Sequence, residues 1–227
     1  MKVSKKFLSL AWIFMICALF LTILDVCCFD RAFYEKEYAK NHTAEVIDIS
    51  EEELMKVTSH LLDYLQDKEE VLKISAVIAD QERNVFNERD TMHMVDVKIL
   101  YEHAMLVRNL AFVIAVCLFG WNLAVLKQEF LLSLASSFYK ALGIFMMLCA
   151  AVLIAAAIDF DSLWRLFHHI FFTNDLWLLD PNVSVLINMV PLEFFFDLVA
   201  KIVVMFIASL ACLSTIFLFV VKKVIQE

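Results

Sequence analysis

The chain has 227 residues, enough for one domain of ordinary size, and 62% of them are apolar, with 21 Phe and only 2 Gly. Soluble domains are about 45–50% apolar, so this composition argues against an ordinary soluble fold and indicates a membrane protein. The formal net charge of −8 and the lack of a cluster of Lys and Arg argue against nucleic acid as a partner, because phosphate recognition needs a basic surface.

The first apolar segment, residues 7–24, follows Lys2, Lys5 and Lys6 and so resembles a secretory signal. It is long for the apolar region of such a signal, and no small-x-small cleavage site precedes Asp25. We therefore predict an uncleaved transmembrane anchor. Further spans are predicted at residues 104–126, 141–158 and 193–221.

The distribution of Lys and Arg predicts the orientation of these spans. Basic residues lie at both chain ends and in the predicted connecting loop of residues 127–140, which places that side in the cytoplasm. Residues 25–102 instead contain 19 acidic and 9 basic residues, a net charge of −10. We expect a domain of residues 25–103 and a segment of residues 159–192 on the outer face of the cell membrane. The basic residues used here are Lys2, Lys5, Lys6, Lys127, Lys140, Lys222 and Lys223.

The long acidic segment has its own helical signals. Ser50 and Glu53 form a capping-box pattern, and apolar residues follow at helical spacing, which predicts a helix from Glu51 to about Gln66. A second helical pattern begins near Asp90 and continues towards the second span. Residues 71–78 are rich in β-branched side chains and are compatible with either a strand or a helix.

Two histidine-bearing patches are candidate sites. In residues 86–98, His93 precedes Asp96 by three positions, so on a helix the carboxylate could orient the imidazole, although a solvated helix face explains the same pattern. Within residues 163–181, the stretch from Trp164 to Phe172 is rich in aromatic residues, which predicts a helix lying at the membrane interface. His168 and His169 lie within it and point about 100° apart on a helix, so they are not expected to share one target.

A third patch begins at Pro191, which suits the first turn of a helix. Glu193, Asp197 and Lys201 follow at intervals of four, so they share one helix face, and Asp197 can pair with Lys201. Charges entering a span face either a wet cavity or the interfacial rim, and both interpretations remain open. The sequence contains no GxSxG, HExxH or phosphate-loop motif, and we predict no cofactor and no metal.

Three strings carry a resemblance to a known family: ERDTMHMVDVK in the first loop, FHHIFFTNDLWLLDP in the second, and LINMVPLEFF before the last span. Within a four-span frame they resemble the bacterial lipoprotein intramolecular transacylase (Lit) family, over almost the whole chain. The resemblance agrees with an all-α membrane protein that has four transmembrane helices, an extracellular domain between spans 1 and 2, and an interfacial helix between spans 3 and 4.

The resemblance also implies an activity. The family moves the sn-2 acyl chain of a diacylglyceryl-modified lipoprotein to the α-amine of its N-terminal cysteine, giving the lyso form. The expected partners are this lipoprotein N-terminus and membrane lipid. The two essential histidines of the family match His93 and His168, with His169 as the alternative to His168. Supporting roles are possible for Asp96, Arg89, Asn174 and Glu193, and the stabiliser of the oxyanion is Arg89, Asn174 or a backbone N–H.

One geometric condition follows. On a straight helix, His93 would lie about 25 Å from the apolar stretch that starts at Leu110, so we expect the helix to tilt, bend or begin lower and to bring His93 against residues 163–172. Acid–base catalysis on one ester requires the two histidines within about 10 Å. Two other functions compete: a non-enzymatic sensor or accessory protein, and a metal-dependent hydrolase using His93, His168 and Asp96.

Overall fold

The computed structural model describes residues 2–126 and 130–226. In these residues the chain is almost entirely helical, with one short hairpin between the fourth and fifth helices. The helices are α1 Lys2–Cys28, α2 Arg31–Lys40, α3 Thr43–Ile47, α4 Glu51–Leu65, α5 Glu88–Leu126, α6 Phe130–Ile158, α7 Phe160–Phe171, α8 Val185–Met189 and α9 Leu192–Gln226. The strands are β1 Ser75–Ile78 and β2 Gln81–Asn84.

Four helices are long and apolar enough to cross a membrane. They contain the candidate spans Lys6–Cys28, Glu88–Leu126, Phe130–Ile158 and Leu192–Phe219. The predicted all-α membrane fold with four spans is therefore confirmed. The 39 residues of α5 extend about 58 Å, nearly twice the thickness of the hydrocarbon core, so its charged first part, residues 88–103, extends beyond the span at residues 104–126.

The helix α6 begins earlier than expected. The predicted connecting loop of residues 127–140 is helical from Phe130 onwards, because α6 already includes those residues. Residues 130–140 contain no Gly or Pro, and Phe138 and Ala141 are buried, so packing favours continuing the helix. Lys127, which contributed to the predicted orientation, lies outside the described residues.

The chain forms two compact units, the first comprising residues 1–26, 104–158 and 199–227. Its core is organised around Trp12, whose ring meets Phe119, Phe138 and Phe217 edge-on at centroid distances of 4.9, 5.1 and 5.3 Å. The indole of Trp12 also donates a 3.0 Å hydrogen bond to the carbonyl oxygen of Leu134. Aromatic packing with a satisfied indole N–H thus joins the helices of this unit.

The second unit comprises Cys27–His103 and Asp159–Leu198. The Ser50 half of the predicted capping box is present, since the Ser50 hydroxyl accepts a 3.2 Å hydrogen bond from the Glu53 N–H at the start of α4. The Glu53 carboxylate instead accepts a 3.2 Å hydrogen bond from the Val77 N–H of β1. The second half of the undecided segment, residues 75–78, forms strand β1, antiparallel to β2, with Ser75 opposite Asn84 and Ile78 opposite Gln81. Both turn residues, Ala79 and Asp80, have positive φ, as a two-residue hairpin turn requires.

We expect Ser50→Ala to lower the free energy of unfolding by about 1 kcal/mol, because it removes the acceptor that satisfies the Glu53 N–H. Chemical unfolding in detergent, followed by circular dichroism, measures the change. Ser50→Asp is the matched control, since aspartate also caps helices. An equal loss of stability in both variants would contradict the capping role.

Candidate active site

The start of α5 is fixed by a reciprocal pair of hydrogen bonds. The Asn87 side-chain oxygen accepts from the Asp90 N–H at 2.9 Å, and the Asp90 carboxylate accepts from the Asn87 N–H at 3.2 Å. This is the geometry of a capping box. It sets where the helix begins, and His93 follows one turn later with its side chain buried to 8% exposure.

Asp90 has a second role that the sequence analysis missed. Its carboxylate is fully buried and accepts a 2.5 Å hydrogen bond from the Ser184 hydroxyl, which joins α5 to the residue that precedes α8. Burial raises the pKa of Asp90, while the hydrogen bond from Ser184 opposes that shift. The Asn-x-x-Asp spacing at residues 87–90 is a capping signal that the sequence displays. No local signal in the sequence indicates that Asp90 binds Ser184, which lies 94 positions away.

His168 lies on the predicted interfacial helix, which the structure contains as α7. The residue before the helix, Asp159, caps it, because its carboxylate accepts from both the N–H and the hydroxyl of Ser162. The Nδ1 atom of His168 lies 2.8 Å from the Trp164 carbonyl oxygen, and the side chain is 7% exposed. A carbonyl oxygen only accepts, so Nδ1 carries the proton and Nε2 keeps a lone pair for chemistry.

The structure brings His93 and His168 together from 75 positions apart. Their ring centroids are 6.2 Å apart, and the ring of Phe172 lies 5.4 Å from His93 and 5.6 Å from His168. This spacing is within the limit of about 10 Å that acid–base chemistry on one ester requires. His93 meets the 163–172 segment although α5 runs without interruption from Glu88, so the helix does not begin lower.

Trp177, which the sequence analysis did not single out, lies against both histidines of α7. Its ring stacks on His168 at a centroid distance of 4.7 Å and meets His169 edge-on at 5.2 Å. His169 is exposed, whereas His168 is buried. The neighbouring histidines therefore have different environments, and the buried one faces His93.

Burial determines the charge of the histidine pair. It lowers the pKa of His93 to about 4, helped by the nearby His168 and Arg89 and opposed by the Asp96 carboxylate. Burial also lowers the pKa of His168, and the Trp164 carbonyl opposes that shift. Both rings are therefore neutral at pH 7 and able to accept a proton.

Three of the predicted supporting residues tie the loop after α7 to α5. Arg89 donates to the Leu178 carbonyl oxygen at 3.2 Å and also to the carbonyl oxygen of Asp175. Asn174 donates to the Asp96 carboxylate at 2.8 Å. Asp96 thus binds Asn174, and in the described part of the chain no hydrogen bond joins it to His93. These contacts position the loop that contains Trp177.

Glu193 and Asp197 of the third patch lie elsewhere in this unit. Glu193 is exposed in the first turn of α9, where an acidic side chain suits the helix dipole. Asp197 pairs with Lys40 of α2, and Lys40 also lies 3.4 Å from Glu37, which is 3% exposed. Burial raises the pKa of Glu37, and the Asp197 carboxylate adds to that shift. These charges join α2 to the start of α9, which makes them structural.

Over residues 2–126 and 130–226, no group of three His, Cys, Asp or Glu side chains is arranged to hold a metal ion. The geometry instead offers two neutral imidazoles, one with a defined tautomer, enclosed by Phe172, Trp164 and Trp177. Such a pair can take a proton from one group and deliver one to another.

Comparison with known proteins identifies a family for the chain. The sequence model of the family described as "Lipoprotein intramolecular transacylase Lit" matches residues 8–195. No curated protein matches the chain.

Among solved structures, the lipoprotein intramolecular transacylase Lit from Bacillus cereus is similar at a TM-score of 0.77 and 21% identity, covering 100% of this chain and 98% of that one. Two forms of that protein with one histidine replaced are also similar. The arginine form has a TM-score of 0.71 at 22% identity, with 98% and 92% of the two chains covered. The alanine form has 0.73 at 21%, with 100% and 96% covered. These likenesses establish the shared fold.

We expect Arg89→Ala to loosen the loop of residues 173–180, because it removes both side-chain bonds to loop carbonyls. A loss of about 1 kcal/mol corresponds to roughly five-fold faster amide hydrogen exchange in that loop. Hydrogen-exchange mass spectrometry measures it, with Arg83→Ala on the exposed strand β2 as control. Unchanged exchange in Arg89→Ala would contradict the loop contact.

The buried histidines also predict how stability depends on pH. The unfolded pKa of His93 is near 6.5 and the folded pKa is about 4, so its contribution is complete above pH 6.5 and is lost as the pH falls towards 4. The full loss in the free energy of unfolding is about 3 kcal/mol. Unfolding of wild type and His93→Phe should be compared from pH 7 to pH 4. We expect wild type to lose more stability on acidification, and parallel curves would contradict this.

Proposed function

Because the chain belongs to the lipoprotein intramolecular transacylase family Lit, a family of acyltransferases, we propose that it acts on diacylglyceryl-modified lipoproteins. It moves the sn-2 acyl chain from the glycerol oxygen to the α-amine of the N-terminal cysteine and leaves the lyso form. The observation that supports this proposal most is the buried pair of neutral histidines with centroids 6.2 Å apart.

The reaction suits two imidazoles. An α-amine has a pKa of about 7.7–8.0, so a weak base is enough to accept its proton during attack on an ester carbonyl. His168 takes that proton on Nε2, since its Nδ1–H is held by the Trp164 carbonyl. The amine acts as the nucleophile itself, which agrees with a sequence that has no serine-nucleophile motif.

His93 serves the other half of the reaction. When the tetrahedral intermediate collapses, the new C–N bond remains, the C–O bond to glycerol breaks, and the leaving oxygen needs a proton. A ring whose pKa is about 4 gives up a proton readily, so His93 is suited to deliver it. Since both rings start neutral, the proton that His168 took from the amine first passes to His93, directly or through one water, and its delivery to the leaving oxygen leaves both rings neutral again. No proton is gained or lost overall.

The substrate supplies much of the remaining advantage. The amine and the ester belong to one molecule, so their encounter does not require the loss of translational entropy that two separate reactants would pay. The enzyme then needs to hold the tethered groups beside the imidazoles and keep water from competing for the ester. The aromatic rings around His168 provide such a dry environment.

We place this site at the outer face of the cell membrane, with both chain ends in the cytoplasm. The asymmetry of Lys and Arg along the chain supports this orientation. Helix α7 supports a location at headgroup level, since its exposed Leu166, Ile170 and Phe171 suit an interfacial helix whose apolar face enters the lipid. An ester of a membrane-anchored lipoprotein lies at that level.

The proposal predicts that His93→Ala and His168→Ala each abolish formation of lyso-lipoprotein, with losses of at least about 100-fold. His169→Ala keeps most activity because that side chain is exposed beside Trp177. Mass spectrometry of the N-terminal peptide of a host lipoprotein, with each variant expressed at the wild-type level, measures the product.

The exposed His103 provides a further control for the loss of a histidine as such. An unchanged acyl pattern in the presence of wild-type protein would refute the proposed reaction. Full activity in both His93→Ala and His168→Ala would refute the histidine mechanism.

A further inference from the structure

Two buried nitrogen atoms beside His168 lack a hydrogen-bond partner. His93 Nδ1 and Trp177 Nε1 are both shielded from solvent, and in the described part of the chain neither is paired. The Trp177 ring stacks on His168 at 4.7 Å and 27°, and the His93 ring lies 6.2 Å from it. Only Asn41 Nδ2 is in the same state elsewhere in those residues. Two of the three cases therefore flank one histidine.

An unpaired buried donor is destabilising, and folded proteins contain few of them. The indole N–H is a donor only, so its missing partner must be an acceptor. Unpaired groups of this kind at a candidate site are explained if a substrate supplies the partner. In an acyl transfer, the acceptor whose negative charge grows during the reaction is the carbonyl oxygen of the ester.

The other candidate donors are already engaged. Arg89 donates to the carbonyl oxygens of Asp175 and Leu178, and Asn174 donates to Asp96. Both side chains hold the loop of residues 173–180, and this loop contains Trp177. Trp177 Nε1 is thus a buried donor next to His168 that has no partner in the described part of the chain, and it comes from the loop that Arg89 and Asn174 position.

We propose that Trp177 is a catalytic residue whose indole N–H stabilises the oxyanion. As the amine nitrogen bonds to the ester carbon, the π electrons of the carbonyl move to its oxygen. That oxygen then accepts a hydrogen bond from the Trp177 N–H. When that electron pair re-forms the C=O bond, the glycerol oxygen leaves and takes a proton from the histidine pair. This inference rests on the proposed acyl transfer and adds the donor that the transfer needs.

The environment makes this donor effective. The N–H is already shielded from water, so binding an oxyanion does not require removing a hydration shell from it. Stacking on His168 fixes the indole ring relative to the base that receives the amine proton. A donor held in this way is oriented before the reaction, which is the condition for electrostatic stabilisation of a transition state.

The test replaces the N–H while keeping the ring. In one variant, Trp177 is replaced by 3-benzothienylalanine, which has sulfur in place of the indole N–H. A second variant is Trp177→Phe. Full-length proteins in detergent micelles are given a synthetic diacylglyceryl lipopeptide, and the first-order rate of O-to-N acyl transfer is followed by mass spectrometry. We expect both substitutions to slow transfer about 100- to 1000-fold, as for the loss of one oxyanion donor.

Trp121→Phe is the matched control, since Trp121 is 63% exposed and lies in the other unit, and it should transfer at the wild-type rate. A benzothienylalanine protein that transfers at the wild-type rate would overturn the inference, even if Trp177→Phe is slow, because the ring alone would then suffice. An inactive wild type would refute the acyl transfer itself. The two failures are thus distinguishable.

Discussion

Burial of two imidazoles without charge is the constraint on which this site depends. His93 and His168 are each shielded from solvent, and burial lowers the pKa of both. An imidazolium in this position would need a counter-charge, and the attraction of the nearby Asp96 carboxylate is smaller than the effect of burial on the pKa of His93. The aromatic rings of Phe172 and Trp177 pack against neutral rings without that cost. The same desolvation that keeps the rings neutral leaves each of them with one unprotonated nitrogen at pH 7.

Polar contacts outside the pair hold it in place. The Asp90–Ser184 hydrogen bond joins the first turn of α5 to the residue before α8. Arg89 and the Asp96–Asn174 bond hold the loop of residues 173–180 against the same stretch of α5. One helix thus carries His93 and three residues that position its surroundings. Because these contacts lie within two turns of helix, their relative geometry depends little on the rest of the chain.

Local signals in the sequence were sufficient for most of the helices. The capping box at Ser50 located the start of α4, the aromatic-rich stretch located α7, and the apolar segments identified four spans. Residues 130–140, predicted as part of the loop before the third span, are helical. Lys127 and Lys140 indicated the side of the membrane and not where the helix begins. Propensity and packing continued the helix regardless. Trp177 was missed because nothing local distinguishes it from the other interfacial aromatic residues.

The sequence by itself determined the membrane class, the number of spans and the family, and the resemblance to that family made His93 and His168 candidates. Only the tertiary structure decided that these rings meet, that His168 rather than His169 is buried, and that Arg89 and Asn174 bind a loop. The physical reason is the distance along the chain over which each interaction acts. Helix periodicity and capping act over a few residues, whereas the contact between the histidines joins positions 75 apart and depends on how the helices pack.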